Sequence, residues 1–171
     1  MKIFLLTTFA LVCFALNSIL CRLALQTGEA DAAGFTLIRL VSGAAVLAII
    51  YFFFGDKNAD VKRGNWFSAF FLFAYAICFS FAYINLTTAT GALILFGSVQ
   101  MTMIIFALVN GERPRILEWL GLIFALGGLI YLVFPGLSAP PFWSSILMCF
   151  AGIAWGFYTL RGKGSKNSLG D

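Results

Sequence analysis

Six long apolar runs, each close to the length that crosses a lipid bilayer, dominate this chain. They are Ile3–Leu25, Ala32–Phe54, Trp66–Leu86, Thr90–Val109, Leu117–Phe134 and Phe142–Leu160. A hydrocarbon core of about 30 Å takes roughly 20 mainly apolar residues in a helix. The runs are continuous, without the period-two alternation of a barrel strand. In lipid, a helix also satisfies its own backbone donors and acceptors. The expectation is therefore an all-α membrane protein with six transmembrane helices. Charge content agrees, at 11% of the residues against about 25% in an ordinary soluble domain.

Polar punctuation separates the runs. The breaks are Gly28-Glu29-Ala30-Asp31, Gly55–Asn65, Gly111-Glu112-Arg113-Pro114, and Pro135-Gly136 with Pro140-Pro141. Only Thr87-Thr88-Ala89 divides the third run from the fourth, which predicts a tight hairpin. The first run is too long for a secretory h-region and holds no Ala-x-Ala-like cleavage site, so it reads as a retained span.

Basic residues orient the chain. With Lys2 in the cytoplasm, Lys57, Lys62, Arg63, Arg113, Arg115, Arg161, Lys163 and Lys166 fall on the same side. The three opposite loops hold no Lys or Arg, and the first carries Glu29 and Asp31. This positive-inside pattern predicts an inner-membrane protein with both termini cytoplasmic. It also accounts for the net charge of +4 without a nucleic-acid partner. Trp66, Trp119 and Trp143 stand near the starts of spans, where an interfacial belt places them.

The chemical inventory is narrow. There is no His, and Cys13, Cys21, Cys78 and Cys149 lie in apolar runs without a CxxC pair, so no metal site or cofactor is expected. No nucleophile–base pair or phosphate-cradling loop is present, which argues against an enzyme. None of the seven carboxylates lies in the middle of a span. The usual buried proton carrier of a proton-driven antiporter is thus missing. Arg39, about a third of the way into the second span, is the clearest intramembrane charge and points to a bundle interior or an aqueous cavity. Arg22, near a span end, can reach the interface.

Neutral polar residues form a second set: Asn17 and Ser18, Tyr83 and Asn85, Ser98, Gln100 and Thr102, and Trp155 with Tyr158. Gln100 is the sharpest of these, because a primary amide at mid-depth has two donors and an acceptor to satisfy. Each can instead bridge helices. Gly152 and Gly156 form a GxxxG spacing, read here as packing within the chain. Asn85-Leu86-Thr87 matches a glycosylation sequon by chance, since its loop hugs the membrane.

In the order of its motifs the chain resembles the drug/metabolite transporter superfamily, EamA type. Arg39 stands in Phe35-Thr36-Leu37-Ile38-Arg39-Leu40, similar to the family's Arg-aromatic signature in its second helix. Gly91-Ala92-Leu93-Ile94 begins the fourth helix and Asn110-Gly111-Glu112-Arg113 closes it. Glu118-Trp119-Leu120-Gly121, Gly127-Gly128 and Pro135-Gly136 resemble the fifth. The resemblance implies two five-helix repeats in inverted orientation. Residues 1–136 would then be one five-helix repeat, and residues 137–171 the first helix of a second repeat with a cytoplasmic tail. Trp155-Gly156 followed by Arg161 is similar to a repeat's opening helix. Val99-Gln100 departs from the family, where a Pro is common. The chain is expected to be a truncated copy, or a half needing a second half-transporter or a homodimer.

The leading expectation is a transporter, or half-transporter, of small organic metabolites or drugs working by alternating access. Its substrate site would comprise Asn17, Arg39, Tyr83, Gln100 and Trp155. Two rivals remain: a non-transporting membrane subunit that packs with a partner, and a small multidrug-resistance-like exporter. The latter class has four helices and a glutamate in its first, which this chain lacks.

Overall fold

The computed structural model describes residues 2–26, 28, 31–54, 65–111, 116–133 and 140–165. They form six helices: α1 Lys2–Leu25, α2 Ala32–Phe54, α3 Trp66–Tyr83, α4 Thr88–Val109, α5 Ile116–Val133 and α6 Phe142–Ser165. No strand occurs among the described residues. Among the described residues, α1, α2, α3, α4 and α6 are long and apolar enough to cross a membrane. Their outer faces are studded with exposed Phe, Leu and Ile; Phe4, Ile38 and Phe52 are 73%, 70% and 78% exposed. Water would not tolerate so continuous an apolar surface, and hydrocarbon does.

The expected boundaries hold for α2 and shift elsewhere. The third span was expected to run to Leu86, yet α3 ends at Tyr83, and α4 starts at Thr88 rather than Thr90. Two features set these ends. Thr87 is the N-cap of α4, its hydroxyl accepting a hydrogen bond from the Thr90 amide at 3.3 Å. On the other side of the turn, Arg22 of α1 donates to the carbonyls of Tyr83 and Ile84, both at 2.8 Å. Those carbonyls are among the orphan acceptors of a helix C-terminus, where a cation is also favoured by the helix dipole. Arg22 therefore ties α1 to the end of α3, a structural role consistent with its place near a span end. Arg22→Met is expected to lower thermal stability in detergent or nanodiscs, by about 1–3 kcal/mol, because two charge-assisted bonds are lost. An unchanged melting temperature would rule out this account of the hairpin end.

Elsewhere the ends follow ordinary capping. Asn65 caps α3 by accepting from the Phe67 amide at 3.0 Å, and Asp31 accepts from the Gly34 amide at 2.9 Å at the start of α2. Gly111, at φ +80°, takes the left-handed turn that ends α4. The α6 helix runs five residues beyond the expected Leu160. In that extension Arg161 lies over the rings of Phe67 and Phe71, 5.0 and 5.9 Å from their centroids. The breaks at Gly55–Gly64, Glu112–Arg115 and Phe134–Ala139, and the tail from Lys166, lie outside the described residues.

The centre of the bundle is α6, which packs against both α3 and α4, while α2 flanks α3, α1 touches α3 and α4, and α5 packs on α4. Apolar side chains gain nothing by leaving lipid for protein, so helix association rests on close van der Waals packing. Small residues on α6 permit it. A Cβ at Gly152 would lie 2.6 Å from the Ser98 Cβ and 2.8 Å from the Leu95 carbonyl oxygen. One at Gly156 would lie 2.9 Å from two carbons of Thr102. The GxxxG pair is thus consumed within the chain, as its spacing suggested. Gly91 makes a similar seat for Tyr83, whose ring would be 2.5 Å from an added Cβ.

Candidate functional site

A cavity of about 500 Å³ lies between α1, α2, α3 and α6. On α1 the lining is Phe9, Ala10, Cys13, Phe14 and Asn17, and on α2 it is Arg39 and Leu40. Leu72, Tyr75 and Ala76 of α3 and Trp155 of α6 complete the wall. Residues 10, 13, 14 and 17 recur at helical spacing, so one face of α1 is turned toward the cavity.

Arg39 supplies the charge. It lies seven residues into α2, or about 10 Å along the axis at 1.5 Å per residue. Its guanidinium carbon sits 5.2 Å from the centre of the Phe79 ring and 5.9 Å from that of Tyr75. Such cation–π contacts are worth about 0.5–2 kcal/mol. They offset part of the cost of a cation in hydrocarbon, roughly 2.5–3.5 kcal/mol on insertion scales. Among the described residues its hydrogen-bond contact is with the Cys21 sulfur at 4.0 Å, a weak acceptor.

Aromatic rings build the rest of the wall. Trp155 meets Phe14 edge-on at 6.0 Å, Tyr75 at 4.7 Å and Tyr158 at 5.4 Å between centroids. Along α3, Tyr75 touches Phe79 at 5.2 Å, and Phe79 touches Tyr83 at 4.7 Å. A narrow crevice continues toward α4, bounded by Phe14, Asn17, Ser18, Tyr75, Leu95, Phe96, Val99 and Trp155. A second recess of about 410 Å³, with Asn65, Trp66, Ser68, Ala69, Leu72 and Tyr158 in its wall, opens where α3 begins. Leu72 belongs to both this recess and the central cavity.

Three of the five residues singled out from sequence, Asn17, Arg39 and Trp155, line the same cavity. The other two stand apart from its lining. Tyr83 is fully buried at the hairpin, its hydroxyl 3.5 Å from the Thr88 carbonyl. Gln100 is half-buried on α4, next to Val99 of the crevice wall. Tyr75 was not singled out, although it touches Trp155 and lies under Arg39. Its signal was the row Phe71, Tyr75, Phe79, Tyr83, four residues apart, which marks one helix face.

The EamA-like transporter family matches residues 1–134. The chain belongs to that family. It is 47% identical over 165 residues to uncharacterized protein PA1977 of Pseudomonas aeruginosa, a match covering 96% of this chain and 57% of that protein. The chain thus spans 57% of the length of this relative. No solved structure matches it. Two of the segments that carry the EamA resemblance have structural reasons. Arg39 of Phe35–Leu40 faces the cavity, with Phe35 and Leu40 packed on the core. Gly91 of Gly91–Ile94 seats the Tyr83 ring. Glu112, Arg113, Pro135 and Gly136 lie outside the described residues.

Proposed function

We propose that this EamA-like chain is a carrier, or half of one, for small organic solutes, and that the cavity around Arg39 is its solute site. The observation that carries the reading is a guanidinium opening into an aromatic-walled cavity at membrane depth. Nothing in packing alone calls for a charge there, and its cost makes function the default reading. Arg39 attracts an anionic or zwitterionic group, Asn17 offers an amide, and Trp155 and its neighbours hold an apolar body. In this reading Gln100 and Tyr83 join the site when the helices rearrange, since α4 borders the crevice that leads from the cavity.

Residues 1–136 form one five-helix repeat with α5 as its last span, and α6 opens an inverted second repeat. Alternating access rocks one repeat against the other. The chain sits in the inner membrane with both termini cytoplasmic, an orientation supported by its distribution of Lys and Arg. A second half, from another polypeptide or another copy, completes the carrier. Chemistry on the solute is not part of the cycle.

The test is saturable uptake of radiolabelled organic acids and amino acids into proteoliposomes holding the purified protein. Uptake above that of empty vesicles supports the carrier reading. Absence of uptake for every solute, with or without a supplied second half, would favour a non-transporting subunit. If Arg39→Ala and Gln100→Ala both leave uptake unchanged, the site is elsewhere.

A further inference from the structure

We infer that the cavity selects organic monoanions with a flat apolar body over neutral, zwitterionic and dianionic solutes. This rests on the carrier reading only in taking the cavity as a solute site. A guanidinium has five N–H donors and no acceptor. The Arg39 guanidinium carbon lies 5.2 Å from the centre of the Phe79 ring and 5.9 Å from that of Tyr75, and its described hydrogen-bond contact is a single long one to sulfur. Against its edge donors the cavity wall offers only the neutral side-chain oxygens of Asn17 and Tyr75 and no carboxylate.

A charged acceptor has to come from the solute. Helices α1, α2, α3, α4 and α6 contain no Asp or Glu at all. Asp31, just before α2, is engaged with the Gly34 amide. A planar carboxylate matches the guanidinium edge through two parallel hydrogen bonds.

The same inventory disfavours a second charge of either sign. A dianion needs another cation, but Arg22, the other arginine in this part of the bundle, is held by two α3 carbonyls at 2.8 Å. The ammonium of a zwitterion finds no carboxylate in the wall, and the Asn17 oxygen is the one side-chain amide acceptor among the lining residues. Burying an unpaired ammonium costs far more than one amide contact returns. The body of the solute meets the rings of Phe14, Tyr75 and Trp155, which favour a planar apolar group.

Cys13 provides the readout, because it lies on the cavity wall. The full chain carrying Cys78→Ala and Cys149→Ala, reconstituted in nanodiscs, is labelled with a water-soluble methanethiosulfonate; Cys21, 1% exposed, stays silent. Protection of Cys13 is titrated with hydrocinnamate, its primary amide, phenylsuccinate and phenylalanine. Hydrocinnamate is expected to protect at concentrations at least tenfold below the other three. In Arg39→Gln that advantage should vanish, and Arg39→Lys, which keeps the charge, should retain part of it. Equal protection by the amide, stronger protection by phenylalanine or phenylsuccinate, or no protection by any of the four would overturn the inference. Saturable flux without charge preference would leave the carrier reading standing and this inference refuted. Charge-selective protection without flux of any solute would do the reverse.

Discussion

Gly152→Leu is expected to abolish the folded bundle, seen as loss of the monodisperse peak in detergent and of any cooperative thermal transition. The reason lies in where α6 sits. It is wedged between α3 and α4, and at Gly152 its backbone approaches α4 closely enough that even a Cβ would be 2.8 Å from the Leu95 carbonyl oxygen. A flexible side chain can swing aside, but the backbone of a transmembrane helix cannot move without opening its own packing. Overpacking in ordinary cores costs about 1–3 kcal/mol, and a whole isobutyl group against backbone lies at or beyond the upper end. Gly152→Ala should be milder but still lower the melting temperature. Gly97→Leu is the control: no atom lies within 4 Å of an added Cβ there, so it should be far better tolerated. A Gly152→Leu protein as stable as wild type would mean that α6 does not pack on α4 as described.

The second large effect is on flux rather than folding. Arg39→Ala is expected to reduce carrier-mediated uptake by tenfold or more, with the folded bundle retained. Removing the side chain also removes the cost of holding a cation at this depth. Stability should therefore change little, or even rise, because the ring contacts of about 0.5–2 kcal/mol are lost together with that cost. A purely structural arginine would behave the other way, with lower stability and no specific change in uptake. Arg22→Met, described above, is the built-in contrast, since its bonds run to backbone carbonyls of α3. The two arginines are thus expected to separate cleanly by assay.

Much of the fold was legible because lipid imposes a simple rule: continuous apolar runs must be helices. The starts at Ala32, Trp66 and Phe142 were read correctly for that reason. The end of α3 was not, because Tyr83, Ile84, Asn85 and Leu86 look like more of the same helix. What stops it is Arg22, some sixty residues earlier in the chain, together with the Thr87 cap. A local reading of the sequence has no access to the first of these.

The site was legible in part for a related reason. Arg39 announces itself, since an intramembrane charge needs an explanation. Neutral residues do not, because helices that are apolar on all sides carry no polar face to show which way Tyr83 or Gln100 turns. Tyr75 was hidden among aromatic neighbours, with 17% of the chain aromatic. The row of residues four apart on α3 was present in the sequence, yet only the packing of Trp155 against it singles out Tyr75.

The central claim is that water reaches a cavity among these helices at the depth of Arg39. Cys13 tests it most directly, because it is exposed and lines the cavity midway along α1. Leu11, 62% exposed but absent from the lining, gives a lipid-facing reference at nearly the same depth. In membranes, a charged thiol reagent is predicted to label Cys13 at least tenfold faster than it labels Leu11→Cys in a Cys13→Ala background. Equal and negligible labelling at both positions would mean that lipid or packing fills the space, and would contradict the account.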